Sequence, residues 1–355
     1  MTRRRSGDAP AMPSLFDAAA LPAPCAAADS TGQLQPALAP AEVQALANAL
    51  HQRFGGRLRL GTSSWSFPGW HGLVWGRAYG RPTLARRGLT AYHQHPLLRT
   101  VSLDRAFYRP LQAATYAGLA EQVPADFRFV VKAPALVTDA TLREAATGKA
   151  LHANPAFLDP QRSVAEVLQP ALQGLGPALG VLVFQLSPLP VDWLRDEARL
   201  HGALDALWQA VMPALPIGDH RPLVALEVRD AELMTPALAQ LLRRHGVRWC
   251  AGLHDRMPTM TEQLPMLRAM WPGPLVCRWN LQKGQRYAQA KDAWAPFNRL
   301  QAPDEATREA LARVIAGTLA AGETAWVTIN NKAEGSAPLS VLALAQAVLR
   351  QSDAA

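Results

Sequence analysis

The chain has 355 residues, with 36 Lys and Arg against 28 Asp and Glu, a formal net charge of +8, and 49% hydrophobic residues. That hydrophobic fraction excludes wholesale disorder, and the charges and prolines that interrupt every long apolar run exclude a membrane span. Cys25, Cys250 and Cys277 show no CxxC spacing, which argues against a disulfide framework or a Cys-rich zinc site and predicts a cytoplasmic protein, and the length allows one large domain or two ordinary ones.

Residues 1–45 hold 13 Ala and 6 Pro without sustained periodicity, which predicts a flexible Ala/Pro-rich tail. Asp8, Asp17 and the prolines break any apolar stretch after Arg3, Arg4 and Arg5, against a secretory signal. Leu15 and Phe16 are two large apolar groups in this polar stretch. The segment resembles the bacterial sliding-clamp binding peptide, with Met12 where that peptide usually has Gln. A clamp contact through Leu15 and Phe16 is one expectation, and chance composition is the other.

From residue 57 onward, short apolar runs alternate with helical patterns. The runs are 57–65, 98–104, 127–134, 180–187, 222–229, 247–255, 274–281 and 324–332, each bounded by Gly, Pro or polar residues. Apolar residues at three-and-four spacing predict helices over 111–122, 163–174, 200–215, 236–245, 262–271, 304–321 and 338–351, with a short helix near 84–93. Eight such units predict an α/β fold, a single (β/α)8 TIM barrel over 57–350. A doubly wound sheet is the alternative, but neither GxGxxG nor GxxxxGK[ST] is present.

Barrel enzymes place reacting groups at the C-terminal ends of strands, and residues two apart share a strand face. On one face the runs read Ser102 and Asp104; Val130 and Lys132; Val181, Val183 and Gln185; Ala225, Glu227 and Arg229; Cys250, Gly252 and His254; Val276, Arg278 and Asn280; Thr328 and Asn330, then Lys332. That face turns polar only near the end of each run. The other face (Leu103, Val131, Phe184, Leu226, Leu253, Cys277, Ile329) stays apolar. The pattern predicts an apolar lower barrel with a polar, anion-binding pocket at its mouth. Structural ion pairs, Lys132 with Glu227 for instance, are the alternative use of such charges.

Lys132, Glu227, Asp104 and His254 are the candidate catalytic residues. Cations flanking Glu227 favour its ionised form, which suits a base or an electrostatic anchor. Lys132 suits imine chemistry if its pKa is depressed, and otherwise a pair with Glu227 or an anion contact. Arg229 and Arg278 converge with Lys132 on the mouth, beside Gln185 and Asn280. Asn330, Asn331, Lys332, Gly335 and Ser336 lead into a helix with Pro338 in its first turn, where barrels often hold phosphate. No cofactor and no metal are expected: Asp104, Glu227, His254 and Asp255 are too few for the cluster of a barrel nuclease resembling endonuclease IV. Trp65, Phe67, Trp70, Trp75, Phe107, Tyr108, Trp279 and Tyr287 would either stack bases or cap the core. The expected partner is therefore a small anionic ligand or single-stranded nucleic acid, bound with or without catalysis.

Gly61-Thr62-Ser63-Ser64-Trp65 followed by Phe67-Pro68-Gly69-Trp70 resembles the opening motif of the YecE-like proteins, family 72 of the domains of unknown function. Phe107-Tyr108-Arg109, Val131-Lys132-Ala133-Pro134, Phe184-Gln185-Leu186, Leu226-Glu227-Val228-Arg229 and Asn330-Asn331 followed by Glu334-Gly335 fit in order. The resemblance implies a TIM barrel and no particular reaction. Ser63, Trp65, Trp70 and Tyr108 complete the expected ligand-binding set. Ser102-Leu103-Asp104 stands where the family commonly has Glu-Ile-Asn, Arg278-Trp279-Asn280 where it has Arg-x-His, Asn330-Asn331-Lys332 where it has Asn-Asn-Asp, and Ser336 replaces a common His. These departures mark a divergent member.

Overall fold

The computed structural model describes residues 33–144 and 149–353. Its strands are β1 (Leu58–Thr62), β2 (Thr100–Leu103), β3 (Arg128–Lys132), β4 (Thr141–Arg143), β5 (Ala150–Ala153), β6 (Leu179–Gln185), β7 (Leu223–Glu227), β8 (Arg248–Leu253), β9 (Leu275–Trp279) and β10 (Ala325–Ile329). All except β4 and β5 pair in parallel into one closed eight-stranded barrel, in which β1 meets both β2 and β10. Each of the eight apolar runs is a barrel strand. The fold is therefore the (β/α)8 barrel the alternation predicts.

The helices are α1 (Ala41–Phe54), α2 (Arg81–Arg87), α3 (Leu89–Tyr92), α4 (Ala113–Ala120), α5 (Ala135–Thr138), α6 (Pro160–Arg162), α7 (Gln169–Leu175), α8 (Val191–Arg195), α9 (Glu197–Val211), α10 (Pro236–His245), α11 (Leu264–Arg268), α12 (Tyr287–Trp294), α13 (Glu305–Ala320) and α14 (Ala337–Asp353). A π-helical segment, Ser163–Leu168, joins α6 to α7. Local chemistry sets several ends. In α10 the Thr235 side chain accepts from the Leu238 amide, Pro236 starts the first turn, and Gly246 ends the helix with φ of 69°.

Strand alternation divides the apolar residues into two cores. Val130, Val181, Val183, Ala225, Cys250, Val276 and Trp326 fill the barrel interior. Leu103, Val131, Phe184, Leu226, Leu253, Cys277 and Ile329 face the helices in the larger outer core. Gly180 is required at the base: a Cβ there would come 2.5 Å from the Trp326 ring, so the missing side chain gives the indole its place.

Two features depart from the sequence expectation. The segment read as tail does not stay free as far as residue 45. Leu34 is buried, the Ala37 amide donates to the Val74 carbonyl, and α1 begins at Ala41 and packs on α14, with Arg53 paired to Asp353. The proposed docking pair Leu15 and Phe16, like Cys25, lies outside the described residues. The antiparallel pair β4–β5 is the second departure. Its strands have three and four residues, and β5 is exposed throughout, so no buried face left a periodic signal.

Candidate ligand-binding site

The interior core ends below a layer of charges. Glu227, fully buried at the end of β7, is its centre. Arg278 Nη1 donates to Glu227 Oε2 at 2.6 Å, and Arg229 Nη2 lies 2.7 Å from Oε1. Asn280 Nδ2 donates to Oε1 at 3.3 Å. Arg278 also reaches Asp104, with Nη2 to Oδ1 at 2.6 Å, and the Ser102 hydroxyl donates to the same oxygen at 2.7 Å. Gln185 Oε1 accepts from Arg229 Nη2 at 2.8 Å and from Arg278 Nη1 at 3.3 Å. Gly252 on β8 leaves the space for this: a Cβ there would sit 3.0 Å from Glu227 Oε1.

The cluster fixes its own charge states. Burial alone would raise the Glu227 carboxyl, but Arg229 and Arg278 more than offset it and hold the carboxyl below its ordinary value. Burial opposes the Arg278 charge, and Asp104 and Glu227 more than offset that, so the guanidinium is held more firmly protonated. His254 is brought down to about 4 by burial and then by Arg229, and is a neutral imidazole at neutral pH.

Lys132 does not take part in this pairing. Both carboxylates are engaged by guanidinium groups, and Lys132 makes neither a hydrogen bond nor an ion pair within 4 Å among the described residues. Its Nζ lies 3.4 Å from the centre of the Phe107 ring, which the 3-10 turn Asp104–Phe107 carries over the mouth. Burial first, then the neighbouring Arg278, brings the ammonium down to about 7 from an ordinary 10.5. The expected Lys132–Glu227 pair is therefore replaced by pairing of Glu227 with Arg278 and Arg229.

Replacing this buried cation with an apolar isostere should stabilise the fold. Lys132→Met is expected to gain about 1–4 kcal/mol near pH 6. Below pH 7 the lysine is charged in both states, and its full desolvation cost falls on the fold. Between 7 and 10.5 the folded group is neutral while the unfolded one still binds a proton, so the advantage of Met fades with rising pH. Urea titrations at pH 6, 8 and 10 measure it, and a destabilised Lys132→Met would show instead that the ammonium is well compensated.

The other predicted site residues divide into two groups. Tyr108 is 54% exposed at the rim. Lys332 Nζ donates to Asn330 Oδ1 at 3.3 Å, and burial brings Lys332 down to about 8. The remainder are buried and make contacts within the fold. Trp65 Nε1 donates to the Leu84 carbonyl. Trp70 is fully buried, stacked on Trp75 with ring centres 6.3 Å apart. Asn331 Oδ1 accepts from Trp70 Nε1 and from the Ala337 amide at the start of α14. Ser336 is buried, and Gly335, at φ +114°, packs on Gln301 with no room for a Cβ. Ser63 is buried behind β1, its amide donating to Ile329.

Some buried donors find no partner among the described residues, and Arg229 Nη1 and Arg278 Nε are two of them. No group of three or more His, Cys, Asp and Glu able to hold a metal occurs among the described residues. The residue that sequence reasoning did not single out is Phe107, whose ring centre lies 3.4 Å from Lys132 Nζ. Its place in Phe107-Tyr108-Arg109 gave it to the rim as one aromatic among many.

The profile described as "Protein of unknown function DUF72" matches residues 59–355. Two solved structures share the fold. A DUF72 family protein of Enterococcus faecalis is 16% identical, with a TM-score of 0.51 over 82% of this chain and 95% of that one. A DUF72 family protein of Thermotoga maritima is 15% identical, with a TM-score of 0.50 over 81% and 98%. No curated protein matches the sequence.

Proposed function

The chain belongs to the DUF72 family, and from the geometry of its barrel mouth we propose that it binds a small anionic ligand, a phosphate ester or a carboxylate, between Lys132, Arg229 and Arg278. One observation carries this: three cations face two carboxylates there, and Arg229 keeps one buried guanidinium nitrogen without a partner. A buried donor in that state costs about 1–3 kcal/mol, and an anionic oxygen relieves it. Four of the aromatic residues that would stack bases, Trp65, Trp70, Trp75 and Trp279, are buried in the core, which favours a small ligand over single-stranded nucleic acid. The free thiols of Cys250 and Cys277 fit a cytoplasmic setting.

Inorganic phosphate at about ten times its Kd should stabilise the protein by about 1.4 kcal/mol, a rise of roughly 2 °C in Tm. Arg229→Lys keeps the charge facing Glu227 but removes the fork, and should lose most of the rise. With sulfate, whose charge does not change over this range, the rise should also be larger at pH 6 than at pH 8.5, because an incoming anion favours the protonated Lys132, whose own transition lies at about 7. Absence of any shift at either pH would remove the anion assignment.

A further inference from the structure

We propose that Lys132 forms a reversible imine with its ligand, so that the site takes an anionic aldehyde or ketone, such as a 2-oxo acid or a phosphorylated sugar in its open form. The inference rests on the anion-binding reading above and adds the carbonyl.

Geometry supports it from three sides. Lys132 is the last residue of β3, where a barrel presents reacting groups. Its amine lies against the Phe107 ring, which gives the nitrogen an apolar wall and no hydrogen-bond acceptor. The ion pairs that would hold it as a permanent ammonium are already formed by Arg278 and Arg229 with Glu227 and Asp104. A nucleophilic amine must lose its proton, and burial between two guanidinium groups is the setting that makes this easy. The composition sharpens the point. Of the 36 basic Lys and Arg residues only five are lysines (Lys132, Lys149, Lys283, Lys291 and Lys332), and two of these are buried at the mouth.

The step balances without any further reagent. The nitrogen lone pair adds to the carbonyl carbon, and the proton released by nitrogen passes to the carbonyl oxygen to give a carbinolamine. A second proton from nitrogen leaves with the hydroxyl as water, and the nitrogen lone pair closes the C=N bond. Asp104 is the carrier suited to these transfers. Its Oδ1 accepts from Ser102 and Arg278, while its Oδ2 makes no hydrogen bond among the described residues. Arg229 faces the ligand's anionic group.

The test is reductive trapping on the full chain. The protein is incubated with glyoxylate and sodium cyanoborohydride at pH 7, then digested and mapped by mass spectrometry. The expected result is a carboxymethyl group on Lys132, formed about 10-fold or more faster than on the exposed Lys149 and Lys283, because burial brings the Lys132 ammonium down to about 7 and leaves a large share of it as free amine at pH 7. Inorganic phosphate should slow it by competition. If phosphate raises Tm but Lys132 is labelled no faster than Lys149 and Lys283, the imine is overturned and the anion site stands. If phosphate gives no shift while Lys132 is still trapped preferentially, the carbonyl reading holds and the anion reading falls. Labelling centred on Lys332 overturns the assignment to Lys132.

Discussion

Arg278→Ala is expected to lower the unfolding free energy by about 3–5 kcal/mol at pH 7, the range for removing one partner of a buried ion pair. The guanidinium holds Glu227 Oε2 and Asp104 Oδ1, each at 2.6 Å, and also donates to Gln185. Without it Glu227 keeps Arg229 and Asn280, and one of its oxygens loses its only charged partner in a fully buried position. Arg278→Lys should recover only part of the loss, since an ammonium cannot span the two carboxylates as the planar fork does. The pH dependence has a fixed sign. The folded Glu227 carboxyl sits below its ordinary 4.5, so its stabilisation is present above that value and is lost as pH falls through the folded pKa. The gap between wild type and Arg278→Ala should therefore narrow in acid. A cost below about 1 kcal/mol in urea titrations would mean that the cluster is solvated, as surface pairs are.

Trp70→Ala is expected to cost about 3–5 kcal/mol, and to do so without changing the phosphate-induced shift. The indole is fully buried, with the Phe67 ring 5.0 Å and the Trp75 ring 6.3 Å from its own. Its Nε1 donates to Asn331 Oδ1 at 3.2 Å, the oxygen that also accepts from Ala337 at the start of α14. Truncation opens a large cavity and weakens the anchor of the last helix together. Trp70→Phe keeps much of the ring volume and should cost clearly less. A Trp70→Ala protein of wild-type stability that loses ligand binding would return this residue to the site.

The barrel was legible because each strand is an apolar run closed by Gly, Pro or a polar residue, and because strand periodicity leaves the polar set on one face. Lys132, Gln185, Glu227, Arg229, Arg278 and Asn280 were placed together on that basis, and the structure brings them together. Which charges pair was not legible. Arg278 on β9 reaches Glu227 on β7 past Gly252 on β8. A residue without a side chain opens that route, and periodicity along single strands carries no information about it. Of the two readings open for the tryptophans, stacking bases or capping the core, burial favours the second for Trp65, Trp70, Trp75 and Trp279. Trp70 ends the 3-10 turn Pro68–Trp70 in the connection after β1, where exposure is the default expectation, yet it is fully buried against Phe67 and Trp75. The helix α1 was hidden by its composition: its alanines and the prolines before it resemble a tail, and only packing on α14 gives it a reason to form.

The pairing of β1 with β10 bears on how the protein is made. Leu58 lies in register with Ala325, and Thr62 with Ile329, so the first barrel strand waits for the last one. During translation a nascent polypeptide that has reached β9 holds two unsatisfied strand margins, and contacts of such long sequence separation form slowly. Open margins of this kind recruit other chains. Ribosome-released fragments that stop short of residue 325 should therefore clump, whereas those that include Ile329 can seal the ring and escape.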